Sequence, residues 1–169
     1  FVVRKMSESQ VESGFRHGQT VTACLVALSH GTNDAQKTMG IITLTLIAVG
    51  FQPSGTGPEL WVVAICGLAI ALGTYMGGWR VIRTLGKGLT EISTPQGFAA
   101  EAASATTILV SSHMGFALST TQVCSGSIIG TGLGKKGSKV NWGVAGKMLI
   151  AWLVTFPAAG IVGALACAL

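Results

Sequence analysis

Charge is scarce in this sequence. Only 10% of its 169 residues are Asp, Glu, Lys or Arg, whereas about a quarter of a typical soluble domain is charged. The acidic residues number six, and Asp34 is the only aspartate. A chain with so few charges can hardly cover itself with a solvated surface, which argues against a soluble globular domain. Hydrophobic residues make up 49% of the chain and its mean hydropathy is +0.61, so we expect an integral membrane protein.

Signatures of several other protein classes are also missing. The four cysteines lie apart and form no Cys-x-x-Cys pair, so the sequence indicates neither a disulfide framework nor a zinc site. There is no Walker A loop, no His-Glu-x-x-His motif and no nucleophile elbow, which argues against common nucleotide-dependent and hydrolytic enzymes. The net charge of +5 is interpreted as the loop bias of a membrane protein, and no nucleic-acid partner is expected.

Apolar segments dominate the rest of the chain. We predict a cytoplasmic, interfacial segment at 1–18, a broken membrane helix at 19–50, a span at 59–79, an interfacial helix at 80–94, a re-entrant helical hairpin at 97–133 and a final span at 140–169. A straight helix over 19–50 would be about 48 Å long, against a hydrocarbon core of about 30 Å. Gly31 and the Asn33-Asp34 pair therefore predict an interruption near 30–34.

Basic residues flank the predicted hairpin on both sides. Three precede it and three follow it: Arg80, Arg83, Lys87, Lys135, Lys136 and Lys139. A single span would put the two groups on opposite sides of the membrane, whereas a hairpin returns the chain to the side that it left. If the segments 19–50 and 59–79 each cross the membrane once, the N-terminal Arg4, Lys5 and Arg16 lie on the same side of the membrane as these six residues. The positive-inside rule makes that side cytoplasmic. We therefore expect a multi-pass protein of the plasma (inner) membrane, in contact with the lipid bilayer.

Two polar motifs interrupt the apolar sequence. One is His-Gly-Thr-Asn-Asp-Ala-Gln-Lys at 30–37, and the other is Leu-Ser-Thr-Thr-Gln-Val-Cys-Ser-Gly at 118–126. An unpaired charge in hydrocarbon costs roughly several kcal/mol, so such motifs usually mark a site or a partner. If Ser119, Thr120 and Thr121 begin a helix, their hydroxyls and unpaired backbone N–H groups suit an anion. The same hydroxyls have a structural alternative, which is to bond to carbonyls one turn earlier.

Oxygen ligands in the first motif suit a hard cation such as Na⁺. Asn33 and Asp34 supply side-chain oxygens, and a helix break would expose backbone carbonyls beside them. A desolvated carboxylate can instead take up a proton. Two structural roles also remain open for Asp34, which are to cap a helix beginning near Ala35 and to pair with Lys37 one turn later.

Together with Gly-Phe-Ala-Ala-Glu at 97–101, the two motifs resemble the inorganic phosphate transporter (PiT) family. The resemblance covers the chain from about His17 onward and is to the C-terminal repeat of a bacterial member. It implies an all-α secondary transporter of two inverted repeats, each of which gives one Asn-Asp motif and one Ser-Thr-Thr motif to a shared site. This sequence has one copy of each motif, so we expect about half of a transporter, with the missing N-terminal repeat as its partner.

The resemblance also implies roles for individual residues. Phosphate binding is expected from Ser119, Thr120 and Thr121, cation binding from Asn33, Asp34 and Gln122, and an otherwise open role in transport from His30 and Glu101. The implied activity is symport of inorganic phosphate with Na⁺ or H⁺, and Asn33 and Asp34 would hold Na⁺ if sodium is the coupling ion. No cofactor and no covalent chemistry are expected, and the intact protein is expected to be a homodimer.

Other functions stay open at this point. A channel or a transporter for another oxyanion, such as sulfate, would share the hydroxyl site. A membrane enzyme would use His30, Asp34 and Glu101 as acid–base groups, although the sequence offers no clear nucleophile. A further possibility is an inert half whose function needs the missing repeat.

Overall fold

The computed structural model describes residues 8–135 and 139–168, and for residues 8–10, 80 and 87 it describes the backbone alone. The predictions for Arg4, Lys5 and Lys136 lie outside these ranges. The described chain forms five α-helices: α1 (Glu8–Ala48), α2 (Leu60–Arg83), α3 (Thr94–His113), α4 (Thr120–Gly134) and α5 (Trp142–Ala168). The described ranges are helical and contain no strand, which confirms the prediction of an all-α fold.

Helix α1 is continuous from Glu8 to Ala48, so the predicted break at 30–34 is wrong. The helix also passes through the predicted boundary at 18, and residues 8–18 are therefore not a separate segment. The break is unnecessary because the polar side chains find partners without it. Ser29 and Thr32 donate to carbonyls one turn earlier, and Asn33 bonds to a neighbouring segment. These contacts override the preference of Asn and Asp for helix caps.

Helix α2 continues past the predicted end of its span at Trp79. It is α-helical to Arg83 and then makes a π-helical turn at Thr84–Gly88. The separate interfacial helix predicted at 80–94 is therefore wrong. Residues 80–83 include no proline or glycine, so the sequence does not end the helix there. The helical segment ends just before Leu89, whose carbonyl accepts a hydrogen bond from Asn141 N–H.

Helices α1 and α3 lie side by side and run in the same direction. Three contacts show a nearly constant offset between them: Gln19 with Gly97, Thr22 with Glu101, and Asn33 with Ser112. A Cβ added to Gly97 would lie 2.4 Å from Gln19 Nε2, so glycine permits the close approach at this point. The rings of Phe15 and Phe98 extend the contact edge to face, with centroids 5.7 Å apart.

Helices α3 and α4 form an antiparallel hairpin. At its tip Gly115 has φ = 80°, a conformation that favours glycine. At its base Gln96 Nε2 donates to Thr131 O at 3.1 Å. Just beyond the base, Asn141 N–H donates to Leu89 O at 2.8 Å. The two segments that flank the hairpin therefore lie next to each other.

The two arms of the hairpin differ in length. Helix α3 has 20 residues and α4 has 15, which correspond to about 30 Å and about 22 Å of helix. The second arm is thus shorter than the hydrocarbon core of about 30 Å. The two helices occupy the range predicted for the hairpin, and their re-entrant placement in a bilayer stays a prediction.

Two helices of the described chain, Leu60–Trp79 and α5, are long and apolar enough to cross a membrane. A core helix of a soluble protein would meet the same criterion, but it would be mostly buried. Only 11% of the first apolar window is buried and none of the second. Exposed apolar surface of this extent fits contact with lipid or with another membrane segment.

Polar side chains are common among the buried residues, whereas most large apolar side chains are exposed. Ten buried residues are polar: Thr22, Ser29, Asn33, Thr43, Gln52, Thr90, Gln96, Ser104, Thr120 and Ser125. Soluble domains show the opposite preference. Most of these polar residues lie on α1, α3 and α4, and this is the region in which the two predicted motifs meet.

Candidate substrate-binding site

The two motifs meet where the start of α4 contacts the middle of α1. Thr120 Oγ1 lies 2.9 Å from His30 Nδ1 and 3.5 Å from Asp34 Oδ2, to which it donates. Thr120 is buried, because this face of α4 packs against α1. The structure thus brings together three of the predicted site residues, one of them from the second motif.

Asn33 connects α1 to both sides of the hairpin tip. Its Nδ2 donates to Leu118 O at 3.1 Å and to Asp34 Oδ1 at 3.2 Å. Its Oδ1 accepts from Ser112 Oγ at 3.3 Å. Asn33 is 3% exposed, and both of its polar atoms have partners, so the side chain fixes the position of the tip against α1.

Asp34 supplies the carboxylate of the cluster. Its Oδ1 accepts from Lys37 Nζ at 3.0 Å, and its Oδ2 lies 3.3 Å from His30 Nδ1. The N-terminus of α4 is close by, and its partial positive charge stabilises an anion. The Asp34 side chain is 34% exposed, so the carboxylate is accessible from one side.

Three further residues of the second motif have exposed side chains at the start of α4. Ser119 is the N-cap, and its Oγ accepts from Gln122 N at 3.4 Å. The side chains of Ser119, Thr121 and Gln122 are exposed. Within the described residues no hydrogen bond joins the Gln122 side chain to Asn33 or Asp34. The structure thus presents two hydroxyls and the helix terminus outward, and it keeps Gln122 apart from its predicted partners.

Glu101 lies in a second cluster, farther along α1 and α3. Its Oε2 accepts from Thr22 Oγ1 at 2.8 Å, and Cys124 of α4 lies near Glu101 and Ser104. Thr22 precedes Asp34 by about 18 Å of helix. Glu101 therefore shares no acid–base centre with His30 and Asp34, which removes the geometric basis for a membrane enzyme that uses all three.

The side chains of His30, Asn33, Asp34 and Thr120, with the groups that bond to them, form the main cluster. Two members of the main cluster were not among the predicted ligands. Lys37 Nζ donates to Leu118 O at 2.6 Å as well as to Asp34. The position of Lys37 one turn after Asp34 gave a sequence signal for the ion pair. The carbonyl of Leu118 gave none, because its role depends on how the hairpin tip docks on α1.

Comparison with known proteins identifies the group to which the chain belongs. A model of the phosphate transporter family matches residues 2–163. The chain belongs to this family. A probable low-affinity inorganic phosphate transporter of Mycobacterium bovis is 59% identical over 162 residues, which are 95% of this chain and 39% of that protein. A protein of the same description from Bacillus subtilis is 42% identical over 152 residues, which are 90% of this chain and 46% of that protein.

A solved structure supports the same assignment of phosphate transporter fold. Described as the sodium-dependent phosphate transporter, it matches with a TM-score of 0.77 at 30% identity, over 92% of this chain and 40% of that chain. The chain therefore spans about two-fifths of the length of several relatives that it matches. The predicted family is confirmed, and the relatives and the solved structure are named as transporters.

Proposed function

We propose that this chain is one repeat of a cation-coupled inorganic phosphate symporter of the plasma membrane. The observation that carries the proposal is the contact of Thr120, at the start of α4, with His30 and Asp34 of α1. The contact brings the N-terminus of α4, which we propose to bind the anion, next to a carboxylate. The names of the relatives support phosphate as the substrate.

Phosphate binds at the N-terminus of α4 in this proposal. The exposed hydroxyls of Ser119 and Thr121 and the first backbone N–H groups of the helix supply hydrogen-bond donors. Thr120 adds a hydroxyl on the side that faces α1. Neutral donors suit a transporter because they bind the anion without the strong attraction of a full positive charge, and so permit its release.

A cation at Asp34 favours phosphate binding nearby, because the carboxylate without a cation would repel the anion. Two like unit charges about 4 Å apart repel by roughly 4 kcal/mol at an effective dielectric constant of 20. A cation at the carboxylate offsets this repulsion, so anion and cation bind together more readily than either binds alone. The sodium-dependent structural neighbour supports Na⁺ as that cation, and H⁺ is the alternative.

Asp34 is the principal cation ligand of the proposed site. Both polar atoms of Asn33 already bond within the protein. Asn33 Oδ1 could therefore bind a cation only while it also accepts the hydrogen bond from Ser112. Gln122 is the third proposed ligand, and its exposed side chain would have to turn toward Asp34. The protein of which this chain is one repeat completes the site with a second repeat of inverted topology and forms a homodimer.

Phosphate uptake by the intact transporter tests this proposal. We expect Asp34→Asn and Thr120→Ala each to reduce uptake by at least about tenfold, which corresponds to about 1.4 kcal/mol. Glu59→Gln and Thr45→Ala are matched controls, because among the described residues the Glu59 side chain bonds near the start of α2 and the Thr45 side chain bonds within α1. Uptake would be measured in proteoliposomes with labelled phosphate, with and without excess sulfate. Unchanged uptake in both site variants would refute the site, and strong inhibition by sulfate would refute phosphate selectivity.

A further inference from the structure

The ammonium group of Lys37 donates hydrogen bonds to two oxygens of the main cluster that could hold a cation. Its Nζ lies 3.0 Å from Asp34 Oδ1 and 2.6 Å from Leu118 O. Resting on the proposed function, we propose that Lys37 is a tethered cation, which competes with the coupling cation for Asp34 and Leu118 and so sets the Na⁺ concentration that transport requires.

The two oxygens have the chemistry of ligands for a hard cation. One belongs to a carboxylate, and the other is a backbone carbonyl just before the N-cap of α4. The hydrogen-bond ladder of α4 begins with Val123 N–H and Ser119 O, so the carbonyl of Leu118 lies outside it. Carboxylate and carbonyl oxygens are the ligands that Na⁺-like hard cations prefer. The ammonium group of Lys37 meets both of them through N–H donors.

Na⁺ and the Lys37 ammonium group cannot use these oxygens at the same time. Two like charges between the same two ligands repel each other, so binding of one disfavours binding of the other. Lys37 has a flexible stem and a side chain that is 36% exposed, so it can move away when Na⁺ arrives. Because Na⁺ binding then costs the protein the two contacts of Lys37, the apparent affinity for Na⁺ is lower than it would be without the lysine.

The surroundings of Asp34 make Lys37 the main competitor. On the opposite side of the carboxylate lie His30 Nδ1, at 3.3 Å from Oδ2, and the hydroxyl of Thr120. Asn33 donates to the same two oxygens as Lys37 but carries no charge. Removing the lysine charge therefore leaves the carboxylate, its carbonyl partner and the neutral donors in place.

The experiment compares Na⁺ dependence in the intact transporter before and after the lysine charge is removed. Lys37→Met and Lys37→Gln remove the charge, Lys37→Arg keeps it, and Lys139→Met is the control on an exposed lysine outside the cluster. Two readouts are used. Phosphate uptake into proteoliposomes is measured as Na⁺ replaces choline, and the melting temperature of the purified protein is measured over the same Na⁺ series without phosphate.

We expect the neutral variants to respond at a Na⁺ concentration at least about fivefold lower than the parent protein, the low end of usual coupling between sites. Lys37→Arg and Lys139→Met should respond like the parent. If the parent does not depend on Na⁺, the neutral variants should acquire a Na⁺ response. If a neutral variant loses uptake, the melting series still reports Na⁺ binding, and the second neutral variant replaces one that does not fold.

Three results would overturn the proposal. One is an unchanged Na⁺ response in both readouts for the folded neutral variants. Another is an equal shift in Lys139→Met. The third is a change in half-saturating phosphate with no change in the Na⁺ response, which would make Lys37 a phosphate contact. Absence of phosphate uptake by the parent protein would refute the proposed function instead, and the melting series would still test the role of Lys37.

Discussion

At the scale of single residues, helix contacts near the candidate site are made by polar side chains. Thr22 and Glu101 join α1 to α3 with a hydrogen bond of 2.8 Å, and Thr22 is 6% exposed. Removing the Thr22 hydroxyl leaves Glu101 Oε2 without this donor, which costs more than the bond contributes on balance, whereas Thr22 Oγ1 can also bond to Gln19 O. The contact between Thr22 and Glu101 is remote from Asp34, so we propose that any effect of Glu101 on the site passes through the position of α1 against α3.

A double-mutant cycle tests this role of Glu101. Thr22→Val and Glu101→Ala should each lower the free energy of unfolding, and the double variant should lose less than the sum of the two. We expect a coupling of about 1.5–3 kcal/mol, the range for hydrogen bonds to charged groups. The measurement is denaturant unfolding of the intact transporter in detergent. Additive losses would show that the two side chains do not interact in the folded protein.

At the scale of helices, the hairpin tip depends on one backbone conformation. Gly115 has φ = 80°, so any side chain there strains the turn between α3 and α4. We expect Gly115→Ala to destabilise the protein by about 1 kcal/mol or more. Gly14→Ala is the matched control, because Gly14 lies in α1 with no atom within 4 Å of an added Cβ and alanine favours helix there.

The two glycine variants are expected to change the melting temperature in different directions. Thermal unfolding in detergent should show a lower melting temperature for Gly115→Ala and an equal or higher one for Gly14→Ala. Equal decreases in both variants would mean that the turn imposes no special requirement at Gly115.

The sequence could predict the helices that depend on hydropathy and turn chemistry. Apolar length indicates the spans at 59–79 and 140–169, and the polar, glycine-containing tip separates the two hairpin arms. It could not predict that α1 is continuous through Asn33 and Asp34. Local propensity favours a break there, whereas the hydrogen bonds that make the break unnecessary come from residues about 80 positions away.

The candidate site was predictable in its chemistry and less so in its geometry. The residue types of His30, Asp34 and Thr120 indicated a cluster, and the structure brings them together. Glu101 and Gln122 have the same types of polar groups, yet they lie elsewhere because the register of α1 against α3 and the direction of α4 decide their positions. These are tertiary properties that no short motif contains.

At the scale of the whole molecule, the hairpin returns the chain to the place that it left. Leu89 bonds to Asn141, and Thr90 Oγ1 donates to Lys139 O at 3.2 Å. Because the start and the end of the hairpin meet, we propose that the flanking segments lie on one side of the membrane. This arrangement agrees with the positive-inside reading of the basic residues around the hairpin.

Cysteine labelling tests that topology. In a background with the four native cysteines replaced by serine, Glu91→Cys and Lys139→Cys place single thiols on exposed residues at the hairpin base. A thiol reagent that cannot cross membranes should label both in inside-out vesicles and neither in right-side-out vesicles. Ser54→Cys, on an exposed residue of the loop between α1 and α2, should show the reverse pattern. Labelling of residues 91 and 139 from opposite sides would exclude the hairpin.

The contact between Leu89 and Asn141 also bears on how the chain is made. During synthesis Leu89 O cannot bond to Asn141 N–H until residue 141 has emerged from the ribosome, by which time the whole of α3 and α4 has been made. The contact of Gln96 with Thr131 at the base of the hairpin can form earlier. A chain that stalls before Asn141 is therefore expected to hold the two arms together but to lack the contact that joins the flanking segments, which leaves those segments open to degradation.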